Sequence, residues 1–502
     1  MLKHYLSKRN ILFILLDILL LTSSFFFLNE SLGRFLTLLS FILIYITVSF
    51  ITKDRIFSSI FTIFLILPFN ITYQLPKIFN IFSTTIKIYD ELVNGVIVNY
   101  LVPTISVLDV WCAILFLSII FTKGSLFFRK ALSKYLLSLI LLISFLLLQN
   151  ILIKELITVI GSLRILFFFL LLILLIEIIK SSNRKLLTKH YKTLTILSFL
   201  NLSTQGFIGV QQFMKGMSLN LKFLGESQVV SGMRGSSFIV LNDELFLRAY
   251  GTFPHPNILA GYLLLISLLS IFILFRTKGI LRYLNILNIL LSILLMFVTF
   301  SRIGIFLVLL NIFVITIYKV FVCRKILFKK LFYREVRIFS IGVPFMYMYQ
   351  RFFSIISGND NSLNERIDLL ESGFKVFRNS WFLGCGAGRF IKAMKDFVPR
   401  DSKGIMILQP VHNIFVLMLT ELGLFGFLII LFLMVKIIFP ILKRKFTIYT
   451  LLILVNILII GSFDHYLLTL PQGITILLFS LLLIVLESYV LKDYECNVEK
   501  KQ

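Results

Sequence analysis

Apolar runs approaching the ~20 residues that a helix needs to cross a bilayer recur along the whole chain, and they leave room for one kind of fold. They fall at about 11–28, 35–51, 56–69, 104–121, 136–153, 164–179, 193–211, 255–275, 283–300, 303–322, 338–353, 413–435, 447–463 and 472–491. Only 15% of the residues are charged, against roughly a quarter in a soluble domain. The expected fold is therefore all-α: a polytopic helical membrane protein with 12 to 14 transmembrane helices and a large external loop between two late spans.

Lys and Arg number 50 against 24 acids, a formal charge of +26. That excess does not point to nucleic acid, because the basic residues sit in short clusters between apolar runs, where they orient a membrane protein. With the N-terminus inside, the cytoplasmic-side segments hold most of the Lys and Arg. Nine of the others fall in the long loop 351–411, where the orientation rule is weak. Both termini are expected in the cytoplasm. The first run, preceded by Lys3, Lys8 and Arg9, is too long for a signal peptide and lacks a small-residue cleavage site after it; it reads as a retained span. The organisation expected is an N-terminal bundle (1–247), central spans (248–350), the external loop (351–411), C-terminal spans (412–491) and a tail (492–502).

Three external segments are long, 70–103, 212–254 and 351–411. In the last, Ser362 and Glu365 have the spacing of a capping box. Ile367, Leu370, Phe374 and Phe377 then repeat at helical spacing, with Arg366, Asp368, Lys375 and Arg378 between them. This predicts an amphipathic helix lying on the membrane surface or over the bundle. Gly384, Gly386 and Gly388 interrupt the chain after it; with no strand ahead of them they make a tight turn or a backbone anion nest, not a dinucleotide fingerprint. Of the four cysteines, Cys112 falls in a span, Cys323 and Cys496 on the cytoplasmic side and Cys385 outside. Neither a disulfide nor a metal cluster is indicated.

Polar residues at the ends of spans carry the remaining information. Four clusters stand out: Arg248-Ala-Tyr-Gly-Thr-Phe-Pro-His-Pro-Asn257, Thr299-Phe-Ser-Arg302, His412-Asn413 with Thr420-Glu421-Leu-Gly423, and Asp464-His465-Tyr466. Counting crossings puts all four on the outer side. Each has a plain structural reading. A single interfacial Arg such as Arg302 snorkels to lipid phosphates, His255 between two prolines shapes a turn, and Glu421 inside a span holds a neighbouring Arg or amide. Asp17, Asp109 and Glu177 are scattered through the spans and read as bundle glue. Convergence on one face points further. Guanidinium groups bind phosphate oxygens bidentately and stay charged near hydrocarbon. A histidine can take a proton from an attacking hydroxyl, and fixed cations stabilise a leaving diphosphate without a metal.

The order R-x-x-G-T-F-x-H-P-N, T-x-S-R, R-(x)n-G-x-G-x-G-x-F and H-N-(x)n-E-x-G-x-x-G, over about 248–427, resembles the O-antigen ligase and polymerase superfamily. The resemblance implies an inverting, metal-independent membrane glycosyltransferase that needs no cofactor. Its partners would be an undecaprenyl-diphosphate-linked glycan donor, an acceptor glycan, lipid A core or glycoprotein, and membrane lipids, with no nucleic acid. Arg248 and Arg302 match the diphosphate-binding arginines, His412 the histidine that activates the acceptor, and Arg366 the external-loop arginine. Asn257, Asn413, Arg389 and Glu421 complete the candidate substrate-binding set. The competing class is a transporter or flippase of the same lipid-linked sugar. That class places ionisable residues near the midplane, often in repeated halves, whereas here the cations gather at one boundary.

Overall fold

In a bilayer every backbone N–H and C=O must be paired within the protein, and a helix does this locally. Long apolar runs therefore become helices whatever surrounds them. The structure is a computed structural model that describes residues 32–321 and 361–490, except 53, 82, 83, 88, 242, 243 and 402. Helices α1 (Leu32–Thr52) and α2 (Arg55–Ile66) precede α3 (Val107–Ser133), α4 (Leu136–Ile153), α5 (Leu156–Ser181) and α6 (Arg184–Lys215). Then come α7 (Pro256–Leu274), α8 (Ile280–Thr299) and α9 (Arg302–Phe321). The external helices α10 (Asn361–Asn379) and α11 (Phe390–Ala393) lead to α12 (Ile414–Arg444), α13 (Ile448–Phe463), α14 (Tyr466–Thr469) and α15 (Pro471–Val490).

Twelve of the expected apolar runs coincide with helices, and the runs 11–28 and 338–353 lie outside the described residues. Among the described residues nine helices are long and apolar enough to cross a membrane, and three shorter apolar ones accompany them. The chain is a polytopic helical membrane protein. Its connections are not purely irregular, as an all-α expectation would have them. Residues 72–106 form three two-stranded antiparallel ladders, β1 (Thr72–Gln74) with β6 (Thr104–Ser106), β2 (Ile78–Ile81) with β3 (Thr84–Lys87), and β4 (Leu92–Val93) with β5 (Val96–Ile97). A further hairpin pairs β7 (Phe238–Leu241) with β8 (Glu244–Leu247). Outside the hydrocarbon such short ladders satisfy backbone groups that loops would leave to water.

Inside the bundle, lipid is as apolar as the side chains, so packing and buried hydrogen bonds hold helices together. Asn285 of α8 donates to Thr195 Oγ1 of α6 at 3.0 Å, and Asn288 donates to the Thr195 carbonyl at 3.1 Å. Asn201 of α6 donates to Tyr262 Oη of α7 at 2.8 Å and to the Phe64 carbonyl of α2 at 3.0 Å. Close approach needs small residues: a Cβ on Gly261 would collide with Tyr466 Oη, and one on Gly304 would come within 2.9 Å of Ala260 Cβ. Asp109, expected as glue within a span, joins two helices and also starts one. It closes a capping box with Ser106 at the head of α3 and accepts from Arg164 at 2.9 Å.

One apolar core runs from Leu38 to Val485 across the expected divisions of the chain. A second, smaller one belongs to the external region: Leu369, Val376, Phe390, Ile391, Met394 and Ile407 pack with Val93, Val98 and Leu101. The external loop is thus a folded cap with its own core, seated on the 93–101 segment. The face that α10 buries differs from the expected one. Leu369, Ser372, Gly373 and Val376 turn inward, while Ile367 and Phe374 are 54% and 46% exposed. The apolar repeat is real, but a flank of small residues offers the closer approach to α12.

Candidate active site

The placement of Arg248 begins with two amides of α6. Gln212 Oε1 accepts from the backbone N–H of Tyr250 at 3.0 Å and of Gly251 at 2.9 Å. Gln205 Oε1 accepts from the N–H of Thr252 at 2.8 Å, and Thr252 Oγ1 donates to the Pro68 carbonyl at 2.8 Å. The strand-like lead into α7 is thereby clamped, with Ala249 N–H on the Val298 carbonyl at 3.0 Å. Arg248, 5% exposed, then donates from Nε to the Thr299 carbonyl at 2.8 Å, an otherwise orphaned acceptor at the C-terminus of α8, where a cation is favoured. The chain reverses at Phe300, φ 48°, and Arg302 opens α9, so its guanidinium adds to the positive end of a helix.

From Arg248 a line of side-chain contacts crosses the site. Its Nη2 donates to Asn257 Oδ1 at 2.8 Å. Asn257 Nδ2 donates to Asp464 Oδ2 at 2.9 Å. Asp464 Oδ1 accepts from the His465 backbone N–H at 2.8 Å and lies 3.6 Å from His412 Nδ1. His412 Nε2 stands 3.3 Å from Gln409 Oε1. The His412 and His465 rings are 4.9 Å apart, and His465 Nδ1 is 2.7 Å from Thr469 Oγ1. His255, besides shaping the turn, caps α7 by accepting the Asn257 N–H on Nδ1 at 3.2 Å, and its Nε2 is 2.8 Å from Ser237 Oγ.

These groups border one cavity of roughly 1290 Å³. Its wall includes Arg248, Asn257, Arg302, Arg366, His412 and Asp464, so five of the candidate residues and the end of the fourth cluster converge. Arg164 and Arg234 join them, and so do Glu365, His255 and His465. Neither additional arginine stood out in the sequence: Arg164 sits in the first turns of a span, and Arg234 in a long loop. Asp464 had a signal, the Asp-His-Tyr after a span, but its place at the centre of the contacts had none.

The electrostatics keep Asp464 charged among the cations of the wall. Burial by itself would raise the Asp464 carboxyl, but hydrogen bonding and charge from His412, with His465 and Arg366 behind, hold it well below its ordinary value. Burial, helped by Arg248 or by His412 and Arg366, pushes His255 and His465 down to about 3, against an opposing pull from Asp464. Both therefore stay neutral at physiological pH. Burial raises the Glu365 carboxyl, with Asp401 adding to the effect.

Asn413, Glu421 and Arg389 lie elsewhere. Asn413 caps α12, accepting from Phe415 and Val416 N–H groups, and donates to the Ser462 carbonyl at 3.2 Å. Arg389 forms an ion pair with Glu155 at 2.9 Å, beside Lys392 at 3.0 Å. Glu421 accepts backbone N–H groups of Gly388 and Phe390. It sits where α12 is broken by Gly423, φ 65° and ψ −179°, and where the triple-glycine turn docks. The N–H groups of Cys385 and Gly386 reach the Thr420 and Glu421 carbonyls, both at 2.9 Å, and the Leu424 N–H reaches the Trp381 carbonyl at 2.7 Å. A Cβ on Gly423 would strike the Phe382 carbonyl, and one on Gly384 the Glu421 carbonyl. The two glycine motifs thus form a single backbone crossing, and the N–H groups that follow it at Gly388 and Phe390 are taken by the Glu421 carboxyl rather than by an external anion.

Among the described residues, His412, Asp464 and His465 each offer a ligand atom within 4.8 Å of the others, so this trio could hold a divalent cation. Arg366 acts electrostatically on Asp464 and His465, and Arg248 borders the same cavity; their positive field opposes a dication and favours an anionic ligand. Residues 259–431 match the O-antigen ligase family model. Arg302, Arg366 and His412 lie within the match, and Arg248, Asn257 and Asp464 flank it. No curated protein matches the chain.

Proposed function

We propose that the protein moves a glycan from an undecaprenyl-diphosphate carrier to an acceptor hydroxyl at the outer face of the cytoplasmic membrane, a reading supported by the match of residues 259–431 to the O-antigen ligase family. Glycan transfer of this general type follows from the family. The observation that carries the finer reading is the line Arg248–Asn257–Asp464–His412 on the wall of a cavity shared with Arg302 and Arg366.

The donor diphosphate lies against Arg248, Arg302 and Arg366. Asp464, an anion at working pH, faces His412 Nδ1, which leaves Nε2 to accept a proton, as in other carboxylate–histidine pairs. The acceptor hydroxyl takes the place of Gln409 beside Nε2. As its proton passes to His412, its oxygen attacks the anomeric carbon from the side opposite the diphosphate. The bond from that carbon to the diphosphate oxygen breaks, its electron pair leaves with the diphosphate, and the arginines stabilise the growing charge. The anomeric configuration inverts, and no step calls for a metal. Placement on the outer face is supported by the opposite end of the bundle, where Lys130, Lys134, Arg276, Lys278, Lys443 and Arg444 cluster in short connections, the arrangement expected of cytoplasmic loops.

Purified protein given a labelled lipid-diphosphate glycan and an acceptor tests the reading. Release of free carrier diphosphate together with a glycosylated acceptor is expected, with both lost in Arg248→Ala, Arg302→Ala and His412→Ala. Unchanged product from all three variants would end the assignment. Translocation of intact donor without release of carrier diphosphate would favour the flippase. The surface glycan of a deletion strain separates the two family activities: chains cut to one unit indicate a polymerase, and full-length chains left on the carrier indicate a ligase.

A further inference from the structure

The helix Asn361–Asn379 has three faces where an amphipathic helix has two. At about 100° per residue, Leu369, Ser372, Gly373 and Val376 share one sector, and that sector is buried against the cap and α12; Ser372 Oγ reaches the Phe397 carbonyl at 2.9 Å. Asn364, Glu371, Lys375 and Arg378 share a second, exposed sector, where Glu371 and Lys375 pair at 2.8 Å. Between them lies a third. Leu363, Ile367 and Phe374 project there and are 38%, 54% and 46% exposed. Water does not favour such a stripe, and a protein core does not cover it.

The path of the chain shows what does. Directly after the helix come Trp381 and Phe382, 54% and 50% exposed. The Phe382 ring stacks on Phe425 of α12, 5.6 Å between centroids. From Phe425 an exposed apolar ridge continues down that spanning helix through Leu428, Phe432 and Phe439, a flank that faces outward from the described bundle. The apolar stripe of the external helix is thus continuous with the lipid-facing side of a span, and its aromatic end lies where a bilayer boundary would be. Tryptophan is enriched at that depth.

We infer that residues 361–382 form an interfacial seat whose partner is the phospholipid bilayer, with Leu363, Ile367, Phe374 and Trp381 at the boundary of headgroups and acyl chains. The inference concerns the membrane and not the reaction, so it stands or falls separately from the proposed transfer. It also gives the first turn of the helix a reason for its position. Arg366 and Glu365 reach the cavity wall from an element held by lipid on one side and by the cap on the other.

The chain has two tryptophans, and Trp111 is buried at 2% exposure. In Trp111→Phe the fluorescence of Trp381 reports alone. The variant is placed in phosphatidylglycerol–phosphatidylethanolamine vesicles with acyl chains brominated near the headgroup. Emission should fall by about half or more, as for a shallow interfacial indole, with little quenching by aqueous iodide. Adding Ile367→Asp and Phe374→Asp should reverse the two sensitivities. Iodide quenching equal to that of a free indole, without bromolipid quenching, would overturn the seat. Resistance to both quenchers would also overturn it, since a second protein surface would then cover Trp381. For the unaltered chain, a phospholipid with a photoreactive diazirine beside its acyl carbonyl should form adducts within 363–382; adducts confined to the spanning helices would refute the seat.

Discussion

Two regions at the same end of the bundle use the same vocabulary of Arg, Asn, Glu and Gly, and they do opposite things with it. In the crossing of the 381–386 turn with α12, backbone N–H groups and carbonyls pair with one another, Gln149 bridges the Leu383 and Glu421 carbonyls at 2.7 and 2.8 Å, and Arg389 is paired with Glu155. The backbone groups of the crossing are largely paired with one another. Along Arg248, Asn257, Asp464 and His412 each contact also leaves a face toward an open cavity. A polar cluster at a helix end is therefore not a site in itself; a site needs polar groups with capacity left over for a ligand.

The difference makes predictions that can break it. The largest concerns the open region. Replacing Arg302 or His412 with Ala should lower kcat by about 10²–10⁴-fold, as for loss of a charge stabiliser or a general base, while the thermal midpoint in detergent moves by only a few degrees. A comparable fall in the midpoint would mean that these residues also brace the fold. Gly423→Ala should do the reverse. Its backbone lies in a region open almost only to glycine, so a side chain costs about 2–3 kcal/mol, and its Cβ meets the Phe382 carbonyl. Folded yield should drop, and the surviving molecules should keep their turnover. Loss of turnover at full yield would show that the crossing belongs to the reaction.

Asp464→Asn sharpens the boundary between the two regions. The amide keeps the shape and an acceptor for Asn257 but removes the charge facing His412, so kcat should fall by about 10–100-fold with the donor KM little changed. A rise in the donor KM alone would assign Asp464 to diphosphate positioning. The smallest effect is on acid stability. His255 and His465 have folded values of about 3, below the ~6.5 of an unfolded histidine. As pH falls from about 6.5 toward 3 the unfolded chain binds protons that the folded one refuses, so stability declines by up to ~1.4 kcal/mol per pH unit for each. Asp464, held well below its ordinary carboxylate value in the folded chain, adds a loss in the same direction, but only as pH falls through and below that ordinary range. The midpoint should therefore drop between pH 7 and 5, and His465→Gln should flatten the slope. An unchanged slope in that variant would mean that His465 is not buried neutral.

What was readable beforehand follows from how far each determinant reaches. The spans were readable because the bilayer makes a helix satisfy its own backbone, so run length and charge decide each one locally. Motif order singled out Arg302, Arg366 and His412, and packing brings all three to one cavity wall, though their distances were not readable. Other features rested on contacts between distant parts of the chain. Asn257 meets Asp464 across 207 positions, and Arg164 comes to the cavity because α5 packs beside the segment that starts α3. Glu421 and Arg389 turn inward because two glycine turns interlock. The repeat in 361–379 specified a helix and an apolar stripe, but the small residues beside the stripe chose which flank meets α12. Local chemistry determines what each segment becomes, and only packing decides which leftover polar groups face one another.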